Sequence, residues 1–140
     1  MNTIKIELDE YIEKPLNNLS PYYLYKILLG NIQVGTLIYR TGSIQDHYYD
    51  GHIGYTIEEN YRGHHYSYLA VKELLKDIDH DVIITCEEGN IASQKIIERC
   101  NAQYLDTKPI PTHLKKQFSK NEKVKRIYII KKENFYDKSI

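Results

Sequence analysis

The chain has 140 residues, 41% of them apolar and 27% charged, which is the size and balance of one ordinary globular domain and excludes a fibrous or wholly disordered protein. Nineteen basic and nineteen acidic side chains cancel, arguing against a highly basic nucleic-acid coat protein, and no apolar run approaches the roughly 18 residues that span a bilayer. Cys86 and Cys100 are too few for a disulfide framework. Acids at Glu7, Asp9 and Glu10 sit where a signal peptide would be apolar, so the expectation is a cytoplasmic protein with two free thiols.

Ile4, Ile6 and Leu8 alternate and predict a short strand over 3–8, followed over 9–21 by a turn or one short helical segment around Pro15, Asn17, Asn18 and Pro21. Tyr22 to Leu29 and Val34 to Tyr39 are β-rich runs joined at Gly30-Asn31, and His52 to Ile57 is a third. The period then changes. Tyr66, Leu69, Ala70, Leu74, Leu75 and Ile78 recur at helical spacing and predict an amphipathic helix over 61–78. Val82 to Cys86 is the continuous apolar run of a strand buried on both faces. Asn90 suits the N-cap of a second helix with a buried stripe of Ile91, Ala92, Ile96, Ile97 and Cys100, and Asn101 suits its left-handed close. Strands are expected near 103–106 and 124–130. With no repeat or flexible linker, residues 1–140 read as a single α/β (α+β) domain, its mixed, mostly antiparallel sheet containing one parallel crossover.

Charge is uneven. Residues 108–132 hold eight Lys and Arg126 against Glu122, 9 − 1 = +8, leaving −8 elsewhere. A lysine-guarded edge strand accounts for this, and so does attraction of an anionic ligand. The richest stretch is Gly51 to Ala70. A strand ends at Ile57, Glu58, Glu59 and Asn60 form a turn, and Arg62-Gly63 opens a helix whose first amides lack intrahelical partners and form a natural phosphate cradle. Glycine at 63 lets a ligand approach the backbone, although a glycine kept for packing gives the same signal.

Arg62-Gly63-His64-His65-Tyr66-Ser67 resembles the Arg/Gln-x-x-Gly-x-Gly/Ala phosphate motif of the GNAT (GCN5-related) N-acetyltransferases, preceded by the expected strand and acidic turn. Strand Val82–Cys86 followed by Asn90-Ile91-Ala92-Ser93 and Ile97 to Ala102 resembles that family's second block, and the likeness runs from about Gly51 to Tyr104. It implies an acyl-CoA N-acyltransferase-like fold of six or seven strands, splayed at the middle and flanked by helices, with a shortened N-terminal helical region. The co-substrate implied is acetyl-CoA, its pyrophosphate on the amides of Gly63, His64, His65, Tyr66 and Ser67 beside Arg62. Its pantetheine arm would lie along Tyr55, Thr56 and Ile57 and near Asn90 and Ser93. A primary amine, on a small molecule or a peptide, would attack the thioester directly in a ternary complex, with a strand N–H polarising the carbonyl. No metal and no membrane is implied, and the open acceptor side suggests a homodimer.

Three departures stand out. His65 and Ser67 replace small motif residues, and Ile97 occupies the place of the usual general-acid tyrosine. Candidate bases are His52, whose ordinary pKa suits neutral pH, and Glu58 or Glu59 at the strand end; a strand-capping histidine and carboxylates complementing a helix N-terminus are the structural alternatives. Lys95 and Arg99 could reach an outer phosphate or simply form a solvated helix face. Tyr22, Tyr23, Tyr48 and Tyr49 suit a substrate cleft or ordinary strand packing, and Cys86 in its apolar strand reads as inert. Adjacent His64 and His65 lack zinc-ligand spacing. The competing functions are a non-catalytic CoA- or acyl-CoA-binding module and an anion- or nucleic-acid-binding domain using residues 108–132.

Overall fold

A computed structural model describes residues 3–16 and 19–135. Strands β1 (Ile4–Ile12), β2 (Tyr22–Leu29), β3 (Ile32–Tyr39) and β4 (Ile53–Ile57) form an antiparallel sheet in that spatial order. β5 (Val82–Glu87), β6 (Gln103–Pro109) and β7 (Val124–Ile130) form a second antiparallel sheet with β7 in the middle. Helix α1 (Tyr66–Leu75) connects the two sheets, and α2 (Ile91–Arg99) connects β5 to β6. The α/β fold of mostly antiparallel strands expected from the sequence is observed, but as two antiparallel sheets: the expected crossover, β4–α1–β5, runs from one sheet to the other and forms no parallel ladder among the described residues.

Several boundaries differ from the sequence reading. β1 continues past Leu8 through Asp9 and Glu10 to Ile12, with a register shift between Leu8 and Glu10. Its acids face solvent on an edge strand, where charge costs little and discourages pairing with other chains. No α-helix lies between β1 and β2 among the described residues; Asn17 and Asn18, part of the expected turn, fall outside them. α1 begins at Tyr66 rather than Tyr61, because Gly63 (φ +89°) and His65 (φ +64°) take left-handed conformations that a helix cannot continue through. β6 runs on to Pro109, longer than the pattern suggested.

The apolar faces of both sheets and of α1 meet in one core around Ile27, Leu37, Val71, Leu74, Ile84, Ile97 and Tyr128. α2's predicted stripe divides. Ile97 and Cys100 enter this core, whereas Ile91 and Ala92 are exposed. Asn90 caps α2 as expected, its side-chain oxygen accepting the Ser93 N–H at 3.1 Å, and Asn101 closes it at φ +63°.

The two sheets meet where β4 and β5 begin. The His52 N–H donates to the Ile83 carbonyl at 2.7 Å, and the Ile83 N–H donates back to His52 Nδ1 at 2.9 Å. Gly51 permits this approach: at φ +77°, a Cβ there would lie 3.2 Å from the Ile83 carbonyl oxygen. β4 and β5 then separate into different sheets.

Candidate active site

The separation leaves main-chain groups without strand partners. Arg40 N–H bonds to the His52 carbonyl and Glu58 N–H to the Val34 carbonyl, while Thr56 pairs with Thr36 and Gly54 with Ile38. Antiparallel bonding alternates along a strand, so the even-numbered residues of β4 face β3. Tyr55 and Ile57 therefore direct their N–H and C=O groups to the opposite edge, toward β5, where no ladder forms. Arg62 Nε donates to the Ile57 carbonyl at 3.0 Å. Among the described residues, the Tyr55 N–H and C=O and the Ile57 N–H have no hydrogen-bond partner along the split.

A cavity of about 640 Å³ opens on this edge, between the end of β4, the start of α1 and one face of α2. At its α1 end the chain runs Gly63-His64-His65, and the first residue of α1 with a main-chain acceptor one turn back is Leu69, on His65. The amides of Tyr66, Ser67 and Tyr68 thus point outward along the helix's positive end. Gly63, His65, Tyr66 and Ser67 line the cavity with Arg62 at this end, and Tyr55, Thr56 and Ile57 line it along the strand. Asn90 and Ser93 line the α2 side.

His64 does not reach this wall; it stacks on Tyr66 with ring centroids 5.4 Å apart. The Arg62 guanidinium is turned toward the Ile57 carbonyl. His65 carries no capping hydrogen bond and is exposed on the rim in its left-handed conformation. A glycine would adopt that conformation freely, whereas a histidine holds it against its Cβ.

Four further lining residues, Tyr61, Tyr68, Ala92 and Ile96, were not foreseen as site residues. Ala92 and Ile96 share α2's apolar stripe with Ile97, and their one-turn spacing was the available signal, but it cannot tell a core from a cleft. Lys95 and Arg99 also border the cavity, with Arg99 held 4.4 Å over the Tyr68 ring.

A second cleft of about 370 Å³ lies on the other face of β4, between β3, Thr85 of β5 and the start of β7. Tyr55, Thr56 and Ser93 border both spaces. The Tyr55 hydroxyl and Ser93 Oγ are hydrogen-bonded at 2.8 Å across the split. Burial pushes the Tyr55 phenol up to about 12, so it is protonated at neutral pH and available as a donor.

None of the three expected bases borders either space. His52 is 1% exposed, accepts from Ile83 N–H at Nδ1 and donates from Nε2 to the Gly42 carbonyl at 3.0 Å. Burial holds its pKa below the ordinary value. Glu58 and Glu59 are exposed at the short 3₁₀ turn Glu59–Tyr61. Ile97 is completely buried, so nothing on α2 supplies an acid from that position. Cys86 and Cys100 are buried thiols with pKa values raised by burial, Cys100 to about 11, which fits an inert role. Among the described residues no group of three or more His, Cys, Asp or Glu side chains is gathered as a metal site would need, and no helix is long and apolar enough to cross a membrane.

A sequence profile for the acetyltransferase (GNAT) domain matches residues 4–103. The chain belongs to the GNAT family. A search of curated protein sequences finds no significant match. Among solved structures the fold is similar to RimL, a ribosomal L7/L12 alpha-N-protein acetyltransferase in complex with coenzyme A, with TM-score 0.63 and 16% identity over 79% of this chain and 62% of that one. It is also similar to the microcin C7 self immunity acetyltransferase MccE in complex with acetyl-CoA and AMP, with TM-score 0.62 and 15% identity over 79% of this chain and 61% of that one. A GNAT-family acetyltransferase from Bacillus anthracis gives TM-score 0.62 and 21% identity over 79% of this chain and 66% of its own. These are likenesses of fold, and this chain spans less than two thirds of each relative's length. The sheets of this GNAT domain are joined at His52–Ile83 and separate at Tyr55.

Proposed function

We propose that this GNAT protein transfers an acetyl group from acetyl-CoA to a primary amine, the co-substrate entering the larger cavity and the amine entering the second cleft. The observation that carries this reading is the meeting of two separate spaces at one point, Tyr55–Thr56–Ser93, beside main-chain donors that have no strand partner. The donor set at the α1 end fits a diphosphate: several converging amides, a helix dipole, and a glycine at φ +89° with nothing within 4 Å of its Cβ position. Acetyl-CoA supplies an activated thioester.

The residues of this chain would act mainly by holding the reactants together. Amides of Gly63 to Tyr68 bind the phosphates, and the open Tyr55 and Ile57 main-chain groups bind the amide-rich arm. The Tyr55 N–H lies on the split edge and is placed to donate to a carbonyl oxygen there. The Tyr55 hydroxyl, backed by Ser93, is placed to donate a hydrogen bond to a departing sulfur, taking the part left vacant by Ile97. The amine reacts in its neutral form, and its proton leaves to water through the open second cleft. His52 then serves as the staple that closes the other end of the split.

The reading is tested by incubating the protein with acetyl-CoA and a panel of primary amines while following free thiol and the mass of the amine. Amine-dependent thiol release with a matching acetylated product is expected. Stabilisation by CoA without turnover for any amine would overturn transfer and leave a binding module, and no response to CoA would overturn both.

A further inference from the structure

The second cleft is walled by four charged side chains whose hydrogen bonds are unevenly satisfied. Both carboxylates are engaged. Asp50 Oδ1 meets His47 Nδ1 at 3.1 Å, and its Oδ2 lies 3.5 Å from Arg40 Nε. Glu122 Oε2 accepts from Lys125 Nζ at 3.1 Å, and its Oε1 takes the Ser119 N–H at 3.3 Å. The cations, by contrast, keep donors in reserve. Arg40 Nη1 donates to the carbonyls of Asp50 and Gly51 at 3.3 and 3.1 Å, whereas Nη2 has no hydrogen-bond partner among the described residues. Its Nε is buried against Asp50 Oδ2, so Nη2 carries the donors left for a ligand. Lys125, only 9% exposed at its side chain, uses one of its three donors on Glu122.

A cleft with spare donors and occupied carboxylates suits an anion better than a second cation. With Nη1 and Nε occupied, Nη2 keeps its two N–H groups to donate to a carboxylate, a charge-assisted contact. Its Nη1 lies 4.0 Å from the Cβ position of Gly54, hence one to two residues along β4 from Tyr55 and Thr56. At a strand rise of about 3.3 Å per residue, that is roughly 3–7 Å along the strand, within reach of a carboxylate that is carried beside the amine and hydrogen-bonded to Arg40 at about 2.9 Å.

We propose that the acceptor carries a carboxylate beside its amine, a free amino acid in its simplest form, and that Arg40 in the second cleft binds this carboxylate. The inference rests on the amine entering that cleft. It sets aside polyamines and other carboxylate-free amines as preferred acceptors.

The test needs no acetyl-CoA, so its failure and the failure of acetyl transfer are separable. The Arg40 Nε–H resonance of the ¹⁵N-labelled protein is followed by NMR while free amino acids, the matching amino-acid amides and inorganic phosphate are titrated in. At least one amino acid is expected to move that resonance saturably, with its amide binding about tenfold more weakly or worse. The Arg40→Gln variant should lose the distinction between acid and amide, and its dispersed spectrum reports whether it is folded. If it is not, the acid–amide comparison on the unaltered protein still decides. Equal binding of acid and amide, an unmoved Arg40 resonance at saturation, or phosphate binding more tightly than every carboxylate would each overturn the proposal. Acid-selective binding without turnover would leave this site standing and overturn only the transferase reading.

Discussion

The two ends of the β4–β5 pair begin from the same strands and finish differently. At the closed end, Gly51 lets the chains approach, and His52 answers both the N–H and the C=O of Ile83. The polar groups of His52 and Ile83 that meet there are paired, and the imidazole is sealed beneath the loop that supplies the Gly42 carbonyl. At the open end, Tyr55 and Ile57 face the same direction with no strand to meet, and one hydroxyl pair, Tyr55–Ser93, spans the gap. The lesson is that an unsatisfied strand edge can persist in a folded protein when a fully satisfied junction a few residues away holds the sheets in place.

The largest test of this comparison removes the staple. His52→Ala should lower unfolding free energy by about 2–4 kcal/mol, because it leaves a buried N–H without an acceptor and opens a cavity. His52→Asn, whose Oδ1 can replace Nδ1 as acceptor, should recover part of this. Urea denaturation measures both, and a loss below about 1 kcal/mol for alanine would show that the closed end is held by something else.

The phosphate end of the open region separates stability from binding more sharply. Gly63 at φ +89° should lose about 1 kcal/mol on replacement by Ala, along with CoA affinity. His65→Gly should have the opposite sign on stability, a gain of about 1 kcal/mol from relieving a non-glycine left-handed residue. Thermal melts with and without CoA measure both effects, and destabilisation by His65→Gly would show that the imidazole makes a contact worth more than its backbone strain.

A smaller change is expected across the gap. Tyr55→Phe removes a single hydroxyl bond, so stability should fall by about 0.5–1.5 kcal/mol. Turnover should fall while CoA affinity holds. Unchanged turnover would remove the hydroxyl from the chemistry.

The smallest effect lies in pH. Burial lowers the pKa of His52. For His47, burial acts the same way but is outweighed by the hydrogen bond and charge of Asp50, so its pKa is raised. The contribution of His52 is present above the ordinary value near 6.5 and is lost as pH falls below it. The contribution of His47 is present below 6.5 and lost as pH rises through its raised value. The two windows adjoin at about 6.5 rather than overlap, so stability should be greatest there and fall to either side. In His47→Gln the fall above about 6.5 should disappear while the fall on acidification remains, which denaturation at several pH values will detect; proton NMR should show His47 charging before His52.

Much of this protein is written locally. The alternation of Tyr22–Leu29, the apolar run Val82–Cys86, the Asn90 cap and the Asn101 close depend on neighbours in the chain, and periodicity and capping chemistry report them directly. The order of the two motif blocks was equally legible, and most of the residues they singled out line the larger cavity. The sequence could not show whether Ala92 and Ile96 meet a core or a cleft, since helical spacing fixes a shared face but not what lies opposite it. Nor could it reveal that His52 is sealed against Ile83, or that Arg40 and Lys125 hold unspent donors over a second cleft. Those facts belong to segments far apart in the chain, and packing and hydrogen-bond partnership across such distances exist only once the sheets have met.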